Sequence, residues 1–304
     1  MPSLIRTPDE RFKDLPDFPY APHYVTLQGH RIHYLDEGTA ATTGETFLCL
    51  HGEPSWSYLY RRMIPPLAGH GRVVAMDWVG FGRSDKLLAM EDYSFHMHYH
   101  TLTGFLTTLD LHGVTLICQD WGGLLGLTAA AEMPERFARL VIMNTFLPIG
   151  EEPPGAAFLQ WRQFVERVGK KLQVGRMMAR AFVREESKTA PIRAAYDAPF
   201  PNEEYRAGAA AFPLLVPLAP DDPGAAEMRQ ARRRLAGWHK PVLILFSDED
   251  PITRGAGDFF RELIPGAAAQ PATSIRGAGH FLQEDKGPEI AQKVLAFVKR
   301  SPEP

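Results

Sequence analysis

Short apolar runs closed by glycine, aspartate or proline alternate along this chain with longer stretches whose apolar positions recur every third or fourth residue. The first kind reads as buried strands and the second as amphipathic helices. Residues 23–27 and 31–35 alternate about Gly29, which predicts an antiparallel hairpin at a sheet edge. Residues 47–50, 73–76, 114–117 and 139–143 are wholly or nearly apolar, as strands covered on both faces must be. Between them, Ser55 can cap a helix to about His70, a second helix spans 94–111, and a third opens directly after Asp120. Strands and helices alternating at this spacing imply a mostly parallel sheet.

The rhythm stops after Asn144. Residues 147–222 carry helical patterns, frequent prolines and no convincing strand; then come a strand at 241–246, a helix at 258–263, a strand at 272–275 and a last helix at 288–298. The expected fold class is therefore α/β, with a mostly parallel eight-stranded sheet flanked by helices. Residues 1–146 and 223–304 form the two parts of its core, and 147–222 form an inserted helical cap. The insertion follows a strand whose C-terminal end should face the active site, where a lid fits.

Composition narrows the class of function. The 304 residues hold 33 basic and 36 acidic side chains, a net charge of -3, which gives a polyanion nothing to grip and disfavours nucleic acid as a partner. Cys49 and Cys118 both lie in apolar strand runs, where thiols act as small hydrophobes and stay reduced. The first 22 residues are Pro-rich and charged, with no signal-like apolar core, and no later stretch reaches about 18 uninterrupted apolar residues. A soluble, cytoplasmic, monomeric enzyme without membrane contact is the expectation.

The candidate chemistry centres on residues 114–126. A strand stops at Gln119-Asp120-Trp121 and turns at once into a helix through Gly122 and Gly123, so the apex residue projects from the sheet end. This is a nucleophile elbow with aspartate where serine is usual; the plainer alternative is an Asp that only caps the helix. Cys118 stands where such turns often have glycine, which predicts a slightly looser turn. His280, after the glycine loop 276–279 and the last strand, is placed to be the base. The orienting acid follows the strand ending near Phe246, where Asp248, Glu249 and Asp250 compete. Asp250, before Pro251 at a helix start, is preferred, with Asp248 as the turn-residue alternative. Asn144 occupies another strand end, but an amide stabilises an imidazolium poorly. The loop 77–85 lacks the third glycine and following helix of a dinucleotide site. His96, His98 and His100 make a weak metal pattern, since only His96 and His100 would share a helix face. Arg232, Arg233 and Arg234 read as a solvated face.

Taken together, His51-Gly52-Glu53-Pro54-Ser55-Trp56, residues 80–86 (GFGRSDK), Gln119-Asp120-Trp121-Gly122-Gly123, residues 247–251 and Gly279-His280-Phe281 resemble the haloalkane dehalogenases of the α/β-hydrolase fold, over nearly the whole chain. The resemblance implies a halide held between two tryptophans, Trp121 and Trp161 of the early cap, and no metal or cofactor. It implies a small halogenated alkane, water and halide as the only partners. An ionised Asp120 needs no base to attack a saturated carbon and displace halide. His280, steadied by Asp250, would then activate water against the resulting ester, with the backbone N–H groups of Glu53 and Trp121 at the oxyanion. An ionised Glu53 side chain cannot donate to halide, so the second donor must come from elsewhere. The main alternative is an epoxide hydrolase, for which Tyr196 and Tyr205 are the available acids. A serine esterase conflicts with Asp120, a fluoroacetate-type enzyme with the lack of arginine in 124–131, and a non-catalytic sensor with the intact triad.

Overall fold

The computed structural model describes residues 3–41 and 43–301. Its apolar runs pair into one sheet of β1 (His23–Leu27), β2 (His30–Glu37), β3 (Thr46–Leu50), β4 (Arg72–Met76), β5 (Val114–Gln119), β6 (Phe137–Met143), β7 (Val242–Ser247) and β8 (Thr273–Ile275). The order across the sheet is β8-β7-β6-β5-β3-β4-β2-β1. Strand β2 runs antiparallel to both its neighbours and every other pairing is parallel. Strands β3 and β5 are buried at every residue, which explains why they read as unbroken apolar runs.

Ten helices accompany the sheet among the described residues: α1 (Ile64–Ala68), α2 (Phe95–Thr108), α3 (Trp121–Glu132), α4 (Ala156–Val168), α5 (Val174–Ala181), α6 (Ala190–Asp197), α7 (Ala207–Ala211), α8 (Ala225–Leu235), α9 (Ala256–Leu263) and α10 (Leu282–Arg300). Helix α3 packs on α2 and α8, and α1 packs on α10. The chain leaves β3 toward β4 on one side and returns to β5 on the other. The crevice between the C-terminal ends of β3 and β5 is thus the switch point where α/β sheets bind ligands. Helices α4 to α7 all lie between β6 and α8, and no strand occurs there.

Three local expectations need correction. Ser55 does not cap a helix: its hydroxyl donates to Gly52 O at 2.8 Å, and the segment is a short 3₁₀ turn, Ser57–Tyr60, followed by α1. Pro65 and Pro66 provide no N–H for a longer helix, so it must restart there. The last helix begins at Leu282, well before Pro288, and absorbs the proline through a non-helical Lys286. The arginine run is not simply solvated. Arg232 donates to Leu147 O at 2.7 Å and pairs with Glu152, tying α8 to the chain leaving the sheet.

The helices above the sheet are fastened to it by a buried polar cluster. Arg61 makes a two-pronged pair with Glu284 at 2.6 and 2.7 Å, and Tyr196 of α6 donates to the same carboxylate at 2.6 Å. Both charged side chains are fully buried. The Pro-rich leader adds a second fastening, because Thr7 donates to Pro199 O at 2.7 Å and the Phe12 ring meets Trp56 edge-on at 5.4 Å.

Removing one member of a buried pair strands the other charge out of water. Glu284→Ala is therefore expected to cost about 3–5 kcal/mol of unfolding free energy by urea titration; a loss below about 1 kcal/mol would place the pair among weak surface bridges.

Candidate active site

The turn after β5 is sharp, with its kink at Asp120. Asp120 has φ 50° and ψ -125°, a backbone region that side chains other than glycine's enter only under strain of about 1–3 kcal/mol. Cys118 does not loosen it. That residue sits within the regular strand, paired with Leu50 and Ile142, and the whole kink falls on Asp120. The small residues explain how the kink is accommodated: a Cβ on Gly122 would lie 2.1 Å from Leu50 O, and one on Gly123 would lie 2.1 Å from Thr145 Oγ1. Thr145 donates that hydroxyl to Asp120 O at 2.7 Å, and Asp120 N donates to Asn144 O at 3.0 Å. On the facing loop, a Cβ at Gly52 would collide with the Asp120 side chain at 2.3 Å.

Three of the predicted residues converge. His280 Nδ1 lies 2.9 Å from Asp250 Oδ2, and its Nε2 lies 3.5 Å from Asp120 Oδ2. Asp250 is buried and also accepts from Ile252 N at 2.9 Å and Thr253 Oγ1 at 2.5 Å. Asp248 is exposed and accepts from Gly277 N at 2.8 Å, the geometry of a turn clamp. Asp250, not Asp248, therefore contacts the histidine. Glu53 N–H donates to Asp120 Oδ1 at 2.8 Å. Trp121 N–H is the first of helix α3 and has no carbonyl to bond within that helix.

Two residues that sequence reasoning did not assign to the site complete it. Gln119 Nε2 lies 3.1 Å from His280 Nε2 and 3.3 Å from His280 O. Asn144 bonds Ser247 Oγ at 2.7 Å, Gly279 O at 3.1 Å and His280 O at 3.0 Å, so it ties the histidine loop to two strand ends. Its place at a strand end was the available signal for Asn144, and adjacence to Asp120 was the signal for Gln119.

Electrostatics divide the ionisable groups. Burial works against a charge on His280, but Asp250 and Asp120 outweigh it and push its pKa up to about 10. Burial would raise Asp250, yet His280 and the hydrogen bonds it accepts bring it below the usual carboxylate range. Glu53 is pushed well upward by burial and then by the charge of Asp120, which favours its neutral acid form. The expectation that Glu53 could not donate assumed an ionised group, and this environment disfavours it.

Above these groups lies a cavity of about 150 Å³ whose walls include Leu124, Phe146, Phe158, Pro213 and Ile252. Trp121 and Trp161 line it together with Asp120, Glu53 and His280. Trp121 is 2% exposed and its indole N–H has no protein acceptor among the described residues, while its ring rests edge-on against Phe212 at 4.7 Å. The Trp161 indole faces the Glu53 carboxyl. Among the described residues no tyrosine lines the cavity: Tyr196 is committed to Glu284, and Tyr205 lies outside. Of the histidine triplet, His96 and His100 share a face as expected, with ring centroids 6.4 Å apart and His96 at 2.6 Å from Glu227, while His98 is packed on Phe212.

An acid at a strained elbow, a histidine and a second acid at later strand ends, on a sheet of this order, are the arrangement of an α/β-hydrolase with a carboxylate at its elbow. The family model for the alpha/beta hydrolase fold matches residues 45–287. A haloalkane dehalogenase of Psychrobacter cryohalolentis is 45% identical, the match covering 98% of this chain and 99% of that one. Haloalkane dehalogenase 1 of Mycobacterium tuberculosis is 48% identical, with 97% and 98% covered. The solved tetrameric haloalkane dehalogenase of Paraglaciecola agarilytica NO2 superposes with a TM-score of 0.90 at 40% identity, covering 97% of this chain and 98% of that one. The chain belongs to the haloalkane dehalogenases of the α/β-hydrolase fold.

The raised pKa gives a direct test of the charge pair. His280 contributes stability that is complete below its ordinary pKa of 6.5 and lost as pH rises through about 10. In the resting protein its imidazole NMR signals are expected to stay in the protonated form until the pH approaches about 10, and Asp120→Asn is expected to lower that midpoint; an unmoved midpoint would show that Asp120 does not act on it.

Proposed function

We propose that this protein hydrolyses carbon–halogen bonds of small haloalkanes to an alcohol, a halide and a proton, with Asp120 as nucleophile, His280 as base and Asp250 as its orienting acid. The observation that carries this reading is the pairing, in one apolar cavity, of the carboxylate Asp120 with Trp121, whose indole N–H has no acceptor among the described residues. An indole N–H that opens into an apolar cavity is a donor without a lone pair to repel an anion, which suits a leaving halide.

The steps follow from the geometry. Asp120 Oδ2 attacks the halogen-bearing carbon, the carbon–halogen bond breaks with its electron pair going to the halide, and an alkyl ester forms. The halide takes the indole N–H groups of Trp121 and Trp161, each a donor with no lone pair of its own to repel an anion. Ester formation removes the charge of Asp120, one of the two carboxylates that hold the proton on His280, so the imidazole is released to act as a base. It then takes a proton from water, whose oxygen adds to the ester carbonyl. Charge builds on Oδ1, which already receives Glu53 N–H at 2.8 Å and lies at the N-terminus of α3 beside Trp121 N–H. Collapse expels the alkoxide, which leaves as the alcohol after taking the proton back through His280.

Residues 147–222 act in this reading as the cap that keeps the cavity dry, since Phe158, Trp161, Met177, Pro213 and Val216 form its upper wall. The epoxide hydrolase alternative lacks a cavity tyrosine to protonate an epoxide oxygen. One chain supplies every group, and Leu4, Phe164 and Leu218 are the only large apolar side chains exposed among the described residues, which favours a monomer. Light scattering measures that separately, the Paraglaciecola relative having been solved as a tetramer. Among the described residues no helix is long and apolar enough to cross a membrane. The two buried free thiols suit a reducing, cytoplasmic setting.

His280→Ala is expected to release about one halide per active site and then stall, with the alkyl group seen on the Asp120 peptide by mass spectrometry. Asp120→Ala should release none, and a burst without an adduct would contradict the division of roles. Asp250→Asn is expected to slow ester hydrolysis by about 10²–10⁴-fold, while Asp248→Asn leaves it nearly unchanged; equal effects would return Asp248 to contention. Styrene oxide assayed in the same preparation separates the epoxide reading.

A further inference from the structure

On the outer side of Trp161 and Met177 the cap carries a second, wetter depression. Both residues line the active cavity and also a groove of about 480 Å³ between α4 and α5. One wall is the α4 stripe of Trp161, Phe164 and Val168, and the other bears Lys171, Arg176 and Arg180. On α5 the spacing separates two strips: Met177 and Ala181, four apart, face the cavity, while Arg176 and Arg180, also four apart, face the groove. Trp161 and Met177 are thus a partition between a dry chamber and a cationic basin.

The charge there is at odds with the rest of the chain. Residues 156–181 hold six basic side chains and one acidic, Glu166, in a protein of net charge -3. Some of these cations are engaged: Arg162 bonds Pro213 O and Val216 O, Lys170 bonds Leu88 O, and the Arg167 guanidinium lies over the Phe164 ring. Lys171, Arg176 and Arg180, the three that line the groove, have no hydrogen-bond or ion-pair partner among the described residues, and all are exposed.

We infer that this groove is an anion port, a site of loose halide binding through which halide enters and leaves the indole pair past Trp161 and Met177. The reaction turns a neutral substrate into an anion inside an apolar chamber, and the anion must cross to water. A cationic basin directly outside the partition lowers the energy of the halide at the crossing and raises its local concentration, which speeds passage in both directions. A neutral haloalkane feels no such field. The port is therefore selective for the product, and its effect falls as salt screens it over roughly 8–10 Å.

The inference rests on Trp121 and Trp161 as the halide site, and the test keeps the two apart. Bromide association with the intact protein is followed by stopped-flow tryptophan quenching, beside the triple variant Lys171→Gln, Arg176→Gln, Arg180→Gln. The variant is expected to bind bromide about tenfold more slowly at low salt and to lose most of the ionic-strength dependence, while single-turnover ester formation from a neutral haloalkane is unchanged. Arg176→Lys with Arg180→Lys, which keeps the charge, is expected to keep the rate. Equal association rates and salt slopes in the intact protein and the triple variant would overturn the port, as would an equal fall in ester formation, which would mean damage to the shared cavity. Failure of the indole pair shows differently, as the absence of any bromide-dependent quench in the unaltered protein.

Discussion

The strained backbone of Asp120 is the constraint on which the rest of the site depends. A positive φ at a residue with a side chain survives only where its surroundings leave no alternative. Here Leu50 O bars any side chain at Gly122, Thr145 bars one at Gly123 and holds Asp120 O, and Asn144 O takes Asp120 N. The sheet order brings β3 alongside β5, so the Gly52-Glu53 turn lies against the same carboxylate. One kink therefore sets three things at once: the direction of the Asp120 carboxylate, the donor for one of its oxygens, and the place of Trp121 as the first residue of α3.

In the proposed reaction, the charges around that kink let each step prepare the next. Two carboxylates favour a proton on His280 while Asp120 is free, and in the proposed reaction alkylation removes one of them at the moment a base is needed. The surrounding apolar walls strengthen both interactions by excluding water. In the proposed reaction the same walls leave a halide with few places to go, and the proposed roles of the Trp121 indole and of the cationic groove beyond Trp161 both concern how an anion made in an apolar chamber is discharged.

Much of this was legible in the residues because the decisive features are local. Parallel strands buried on both faces read as apolar runs, and the Asp120 turn, the His280 loop and the acids after β7 each announce themselves within a few positions. What could not be read depends on geometry across the sheet. Asp248 and Asp250 are chemically identical and two residues apart, and only burial and direction separate them. Gln119 and Asn144 act through contacts with a loop far along the chain. The neutral form favoured at Glu53 comes from burial and a neighbour on another strand. The helix expected from Ser55 failed for a local reason, since Pro65 and Pro66 were visible but outweighed by the apolar pattern, and the linking role of Arg232 was hidden because its acceptor, Leu147 O, is a backbone atom.

The central claim is that the alcohol's oxygen comes from Asp120 and not directly from water. A single turnover in oxygen-18-labelled water, with enzyme in excess over haloalkane, measures this most directly. The account predicts unlabelled alcohol and one labelled oxygen in the Asp120 carboxylate by peptide mass spectrometry. Labelled alcohol with an unlabelled Asp120 would contradict it.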